Sequence, residues 1–79
     1  MSTVVITGGS RGIGAAAVEL FAQMGHKVFF LYEKDHAAAQ SVTEKTGATA
    51  ICCDVADGGA VKAAFREIGD VDILPDFYL

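Results

Sequence analysis

Two hydrophobic patterns alternate along this chain. Short apolar runs, typical of strands that are covered on both faces, occur at 3–6, 27–31, 48–53 and 71–74. Between them, at about 12–24, 35–45 and 57–68, apolar residues recur three and four positions apart, as in helices that bury one face. This alternation predicts β-α-β units and a parallel sheet of about four strands with three helices. In the strand order 3-2-1-4, the first two helices cover one face of the sheet and the third helix covers the other.

The predicted helices carry residues that start and stop helices. Asp35 and Asp57 are N-cap candidates for the second and third helices, and a glycine follows each of the three helices, at Gly25, Gly47 and Gly69. The residues expected to face the sheet are Ile13, Ala17, Leu20, Phe21, Met24, Ala38, Ala39, Val42, Val61, Ala64, Phe65 and Ile68.

Composition limits the function classes. The 79 residues suffice for one small domain, and 52% of them are hydrophobic, more than a small monomer easily buries. The net charge of −4 indicates no basic patch for nucleic acid. The apolar run after Met1 ends at Gly8, unlike a signal peptide, and no apolar stretch is long enough to cross a membrane. We therefore expect a cytoplasmic protein with neither a nucleic-acid nor a membrane partner.

The only two cysteines, Cys52 and Cys53, are adjacent in a predicted strand. Neighbouring strand residues point to opposite faces, so a disulfide between them is geometrically unfavourable. The C-x-x-C spacing and the nearby histidines of a metal site are missing, so we predict no metal site. We interpret both cysteines as buried structural thiols in a reducing cytoplasm.

A glycine-rich segment, T-G-G-S-R-G-I-G at 7–14, joins the first strand to the first helix. A strand, a glycine turn and a helix N-terminus in this order form a phosphate site, because unpaired N–H groups and the helix dipole face the turn. Gly8 permits the tight turn, Gly12 lets the backbone approach a pyrophosphate, and Gly14 lets the helix pack closely on the strand. A flexible turn without a ligand is the alternative.

This segment resembles the cofactor loop of the short-chain dehydrogenases/reductases, whose pattern is T-G-x-x-x-G-x-G. The resemblance continues through Leu74 and includes C-D-V at 53–55 and V-D-I-L at 71–74. It implies half of a Rossmann-like doubly wound α/β fold. The expected organisation is a partial dinucleotide-binding domain over 1–74, followed by a divergent tail over 75–79.

The resemblance also implies which residues bind a nicotinamide dinucleotide. Those expected to line its pyrophosphate and adenosine parts are Gly8, Ser10, Arg11, Gly12, Ile13 and Gly14. Asp54 and Val55 would flank the adenine, with Asp54 accepting a hydrogen bond from the exocyclic amine. A simple turn residue after a strand is the alternative role for Asp54.

Cofactor choice depends on the group that meets the ribose 2′ position. A carboxylate accepts the hydroxyl of NAD and repels the 2′-phosphate of NADP, and an arginine does the reverse. The acidic residue of NAD-preferring family members ends the second strand, where this chain has Leu31 and then Tyr32. Arg11 and Lys34 favour NADP, whereas Glu33, about 20 residues after the glycine loop, favours NAD. We expect NADP, with Tyr32 and Lys34 at the site; NAD is the alternative, and Arg11 and Lys34 could be ordinary surface charges.

The resemblance ends after the predicted fourth strand. Family members continue with Asn-Asn-Ala-Gly, where this chain has P-D-F-Y at 75–78, and their later serine and Tyr-x-x-x-Lys pair are absent. Hydride transfer in the family needs a tyrosine acid–base whose pKa is lowered by the lysine. We interpret the chain as a truncated or frame-disrupted relative that is not a reductase on its own.

An incompletely covered face and a fourth strand left at the sheet edge favour self-association. We therefore predict a homodimer or larger assembly in which the bare face, the fourth strand or the tail F-Y-L at 77–79 is buried against another copy; a tail that folds back over its own sheet is the alternative. Three functions remain open: a cofactor-binding half of a reductase, an enzyme completed by another chain, and a self-assembling fragment with a relic loop. The first is favoured.

Overall fold

The computed structural model describes residues 2–8, 12–54 and 56–71. Strands and helices alternate as predicted: β1 (Thr3–Thr7), α1 (Gly12–Gln23), β2 (Lys27–Tyr32), α2 (His36–Thr46), β3 (Thr49–Cys52) and α3 (Gly58–Ile68). Of the fourth strand predicted at 71–74, only Val71 is among the described residues, and it is not in a strand. The tail at 75–79 lies outside the described residues.

The three described strands form a parallel sheet in the order β1-β2-β3, with β2 in the centre. Thr7 pairs with Leu31, and Tyr32 pairs with Cys52. This order confirms the 3-2-1 part of the predicted topology. Because the strands are parallel, their carboxyl ends meet at one edge of the sheet, which we call the carboxyl edge.

The helices cover the two faces of the sheet unequally. α1 and α2 pack on one side, the α1/α2 face, and α3 packs on the other, the α3 face. The buried residues of the α1/α2 face are Val4, Ile6, Val18, Val28, Phe30, Ala39 and Ala48. Those of the α3 face are Val5, Leu31, Cys53 and Ala64. This arrangement confirms the predicted placement of the helices.

The predicted inward face of α1 is partly wrong. Ile13, Leu20 and Met24 are 61%, 56% and 61% exposed instead of facing the sheet. The buried positions of α1 are Gly14 and Val18. Apolar residues occupy two neighbouring stripes of this helix, so periodicity alone could not choose between them. The stripe with the shorter side chains faces inward because it lets the helix pack more closely on the sheet.

Most of the other predicted inward residues pack as expected. Those that belong to or pack against the two buried clusters are Ala17, Phe21, Ala39, Val42, Val61, Ala64, Phe65 and Ile68. Ala38 is half-buried. In α3 the predicted stripe is correct at all four positions, because its opposite side is polar or small and offers no competing apolar stripe.

The capping residues of α2 and α3 act as predicted. Asp35 accepts a hydrogen bond at 3.0 Å from the backbone N–H three residues further on. Asp57 accepts from the N–H groups two and three residues further on, at 3.0 and 3.3 Å. Gly47 follows α2 in the left-handed conformation, with φ 78°, which an L side chain rarely adopts. These contacts fix where each helix begins and ends.

Candidate functional site

Three turns lie side by side at the carboxyl edge. The Gly8 N–H donates to the Leu31 carbonyl at 3.0 Å and ties the end of β1 to β2. The Cys53 N–H donates to the Tyr32 carbonyl at 2.7 Å and ties the end of β3 to β2. Because neighbouring strands are about 4.8 Å apart, the described residues that begin these turns lie close together. Open α/β sheets bind ligands at this edge.

Two described glycines border the turn after β1. Gly8 and Gly12 are exposed and have positive φ values of 70° and 57°. Side chains at these positions would be strained. α1 begins at Gly12, and its first turn, which is described throughout, contains no acidic residue. No acidic side chain of that first turn therefore competes with an anion for the positive end of the α1 dipole.

The remaining predicted residues of this turn fall into two groups. Gly14 is buried where α1 packs on the sheet, which fits its predicted packing role. The Ile13 side chain is exposed, so the core does not use it. Ser10 and Arg11 lie outside the described residues, and their contacts with a cofactor stay predictions.

The turn after β2 carries the charges that were predicted to meet the ribose. Glu33 and Lys34 are both exposed at the carboxyl edge. Tyr32 is turned toward α2: its hydroxyl oxygen lies 2.8 Å from Nδ1 of His36. Its ring also packs against the buried Phe30 ring, with 6.5 Å between the centroids. The Tyr32 side chain is therefore engaged within the fold, and its contact with a cofactor stays a prediction.

Asp54, at the end of β3, closes its own turn. Its Oδ1 atom accepts from the Ala56 N–H at 2.9 Å, and its carbonyl accepts from the Asp57 N–H at 2.9 Å. The turn role that the sequence left open is thus observed. This turn role occupies one oxygen of the Asp54 carboxylate. The predicted hydrogen bond to an adenine amine needs only the second oxygen. Val55 lies outside the described residues.

The two cysteines have different environments. Both are free thiols, as predicted, but Cys52 is exposed and only Cys53 is buried. The prediction of two buried thiols is wrong because Cys52 ends the short strand β3 with its side chain directed outward, where Sγ donates to the Glu33 carbonyl at 3.4 Å. Burial first, and then the carboxylates of Asp54 and Asp57, raise the pKa of the Cys53 thiol above its ordinary value of 9.0.

His36 is the residue near this edge that sequence reasoning missed. Tyr32 is the last residue of a strand and His36 is the first residue of a helix. Neither the strand period nor the helix period therefore predicts that their side chains meet. From this pair a groove of about 570 Å³ runs between α2 and β3. Its lining residues are Tyr32, His36, Ala39, Gln40, Thr43, Gly47, Ala48, Thr49 and Ala50.

In the described part of the chain, no three potential metal-ligating side chains cluster. None of its helices combines the length and the apolar character needed to cross a membrane.

Curated relatives match this chain over most of its length. It is 49% identical over 72 residues to the cyclic-di-GMP-binding biofilm dispersal mediator protein of Escherichia coli strain K12, a match covering 91% of this chain and 30% of that protein. It is 43% identical over 75 residues to D-xylose 1-dehydrogenase from Caulobacter vibrioides, covering 90% of this chain and 30% of the relative. The chain thus spans about a third of the length of these relatives.

Solved structures share the fold. The crystal structure of BdcA in complex with NADPH superposes with a TM-score of 0.90 at 47% identity, covering 95% of this chain and 31% of that one. A dehydrogenase/reductase from Sinorhizobium meliloti 1021 gives a TM-score of 0.90 at 36% identity, covering 96% of this chain and 34% of that one. The family model for short chain dehydrogenases matches residues 2–76. With the sequence match, the strand order and the glycine turn in agreement, the chain belongs to the short-chain dehydrogenase/reductase family.

Proposed function

We propose that this chain is the dinucleotide-binding part of a short-chain dehydrogenase/reductase and that it binds NADP(H). The observation that carries the proposal is the carboxyl edge, where the exposed Gly8, at the end of β1, is bonded to the end of β2 and the exposed Gly12 begins α1. The complex of BdcA with NADPH supports it, because that protein is 47% identical to this chain.

Each part of the cofactor is assigned to one turn. The pyrophosphate binds at the turn after β1, where Gly8 and Gly12 keep side chains away from the backbone amides. The adenine binds at the turn after β3, between Asp54 and Val55. When bound, the nicotinamide supplies or accepts the hydride.

The choice of NADP over NAD rests on charge. Arg11 and Lys34 would attract the 2′-phosphate, and Glu33 would repel it. Two cations against one carboxylate favour NADP, and binding of NAD is the alternative outcome. The chain as a whole carries a net charge of −4, so the preference has to arise locally at this turn.

We also propose that this chain alone does not reduce carbonyl compounds. A Tyr-x-x-x-Lys pair does not occur in the 79-residue sequence. A positioned tyrosine and lysine are what the family uses for proton transfer, so bound cofactor would have no acid–base partner here. NADPH oxidation with a carbonyl substrate by the purified chain would contradict this part, whereas activity that appears only with a second chain would favour an enzyme completed by complementation.

Cofactor binding is tested by calorimetric titration of the purified chain with NADP⁺ and NAD⁺. Gly12→Glu adds a side chain and a negative charge at the start of α1 and should weaken binding by about tenfold or more. Gly47→Glu is the matched control, since Gly47 also has a positive φ, 78°, but lies at the opposite end of α2 from the carboxyl edge. It should lower stability and leave affinity unchanged.

Two results would contradict the proposal. One is the absence of saturable binding of either dinucleotide below millimolar concentration. The other is saturable binding of cyclic di-GMP, the ligand named for the Escherichia coli relative, without binding of NADP⁺. The second result would assign the carboxyl edge to a different phosphate-containing ligand.

Self-association is a second proposal, and a specific surface favours it. Ile13, Leu20 and Met24 form an exposed apolar stripe on α1, and a helix stripe of this kind can pair with its own copy about a two-fold axis. Analytical ultracentrifugation should show a dimer or larger species that Leu20→Glu dissociates. Ala63→Glu, at an exposed position of α3, is the control and should have no effect. A monomer at micromolar concentration would refute the proposal.

A further inference from the structure

The turn between β2 and α2 is closed by a side-chain contact at its base. The Tyr32 hydroxyl oxygen and Nδ1 of His36 are 2.8 Å apart, and their rings meet edge to face with 5.3 Å between the centroids. The Tyr32 ring is itself fixed against the buried Phe30 ring. The contact therefore links the last residue of a buried strand to the first residue of a helix, across only three intervening residues.

Backbone atoms of those three residues are held as well. The His36 N–H donates to the Lys34 carbonyl at 3.0 Å. The Cys52 thiol donates to the Glu33 carbonyl at 3.4 Å from the neighbouring strand. Asp35 is occupied as the N-cap of α2. These bonds each hold the turn at one position, whereas the Tyr32–His36 contact joins its two ends.

The side chains left exposed on this turn carry opposite charges. Glu33 and Lys34 are adjacent and exposed, and the ion pair found among the described residues joins Lys45 to Glu19 instead. In an extended segment, adjacent side chains point to opposite sides, so the conformation of the turn decides which of the two charges faces a neighbouring ligand. A fixed turn presents one defined charge, and a loose turn presents an average of both.

We propose that the Tyr32–His36 contact is a positioning contact that makes this turn select the 2′-phosphate of NADP over the 2′-hydroxyl of NAD. The inference rests on the proposed function, since it concerns the turn assigned to the ribose. His36 acts through Tyr32 and the turn and does not touch the cofactor. Breaking the contact loosens the turn, averages the charges of Glu33 and Lys34, and weakens NADP while leaving NAD nearly unchanged.

The contact can be removed from either side. Tyr32→Phe keeps the ring on Phe30 and removes the hydroxyl, and His36→Phe keeps a ring and removes both nitrogens. The affinity ratio of NADP⁺ to NAD⁺ should fall by about threefold to tenfold in each variant, the range that one hydrogen bond supplies. Because both changes break the same bond, the double variant should show no further fall.

A rescue variant and a control separate positioning from general stability. His36→Asn places an amide oxygen near the position of Nδ1, so it should retain the wild-type ratio. His26→Phe is the control: His26 precedes β2 at the opposite end of the sheet, where its Nδ1 accepts from the Ser2 N–H at 3.1 Å. It should lower the melting temperature and leave the cofactor ratio unchanged.

Amide hydrogen exchange gives a second readout that needs no cofactor. The amides of residues 33–36 should exchange faster in Tyr32→Phe and His36→Phe than in the wild type and in His36→Asn. If the wild type binds NADP⁺, then unchanged amide exchange or an unchanged affinity ratio in the two variants overturns the positioning role. Either result leaves the proposed function intact. Failure of the wild type to bind either dinucleotide overturns both.

Discussion

The α1/α2 face and the α3 face share the same strands but are closed by different numbers of helices. Seven residues are buried in the cluster of the first face, including the large side chains of Ile6 and Phe30. Four are buried in the cluster of the second, and Phe65 and Ile68 of α3 are only partly covered. Because strand side chains alternate between faces, this difference arises from the helices rather than the sheet. Among the described residues, the α1/α2 face therefore has the larger buried cluster, and we expect the α3 face to open more easily.

Truncating one phenylalanine on each face gives the largest expected difference. Phe30→Ala removes a fully buried ring from the α1/α2 face and should cost about 3–5 kcal/mol of unfolding free energy. For a domain of this size, with a stability on the order of 5–10 kcal/mol, that loss removes about half of the stability. Phe65→Ala removes a partly exposed ring and should cost roughly 1–2 kcal/mol. Urea unfolding followed by circular dichroism measures the loss of unfolding free energy in both variants. Equal losses would show that the two faces contribute equally to stability.

The same contrast explains what the sequence could predict. In α3, polar and small residues occupy the outer side, so one apolar stripe was available and the prediction was correct. In α1, apolar residues occupy two stripes, and only the packing distance to the sheet decides between them, which no periodicity encodes. Strand positions and caps were predictable because they depend on residues near in sequence.

The carboxyl edge shows the same limit. Its turns were predictable from glycine, aspartate and the ends of apolar runs. The contact of Tyr32 with His36 and the exposure of Cys52 depend on where two elements meet in three dimensions, so no local sequence pattern predicts either. Ser10, Arg11 and Val55 lie outside the described residues, so the roles predicted for them stay predictions.

The helix caps test whether the faces open independently. Asp57→Ala removes two hydrogen bonds at the start of α3, and Asp35→Ala removes the cap of α2. Each should cost about 0.5–2 kcal/mol. Amide exchange should accelerate mainly within α3 in the first variant, because α3 opens without the α1/α2 face. Asp57→Asn keeps the acceptor and should behave as the wild type, and faster exchange throughout α1 and α2 in Asp57→Ala would show that the faces unfold together.

Two threonines of α2 should have effects of opposite sign on the α1/α2 face. The Thr43 hydroxyl is buried and has no hydrogen-bond partner in the described structure, so Thr43→Val should stabilise the chain by about 0.5–1 kcal/mol. The Thr46 hydroxyl donates to the Val42 carbonyl at 2.7 Å and accepts from the Ala48 N–H at 3.1 Å. Thr46→Val should therefore destabilise by about 1 kcal/mol. Melting temperatures of the two variants measure the contrast, and a loss in both would show that Thr43 is satisfied in solution.

The smallest effect concerns Cys53 on the α3 face and is visible only in alkali. Burial and the neighbouring carboxylates raise the pKa of its thiol above 9.0, so the folded chain holds this proton more tightly than the unfolded chain. Below pH 9.0 the Cys53 thiol is protonated in both the folded and the unfolded chain, so its contribution to stability is complete. Above that pH the unfolded chain loses the proton first, and the unfolding free energy falls as pH rises. Urea titrations at about pH 8 and about pH 10 should show a smaller decrease for Cys53→Ala than for the wild type, with exposed Cys52→Ala as the matched control. An equal decrease in all three proteins would mean that Cys53 is solvated in alkali, and that the α3 face opens before its thiol titrates.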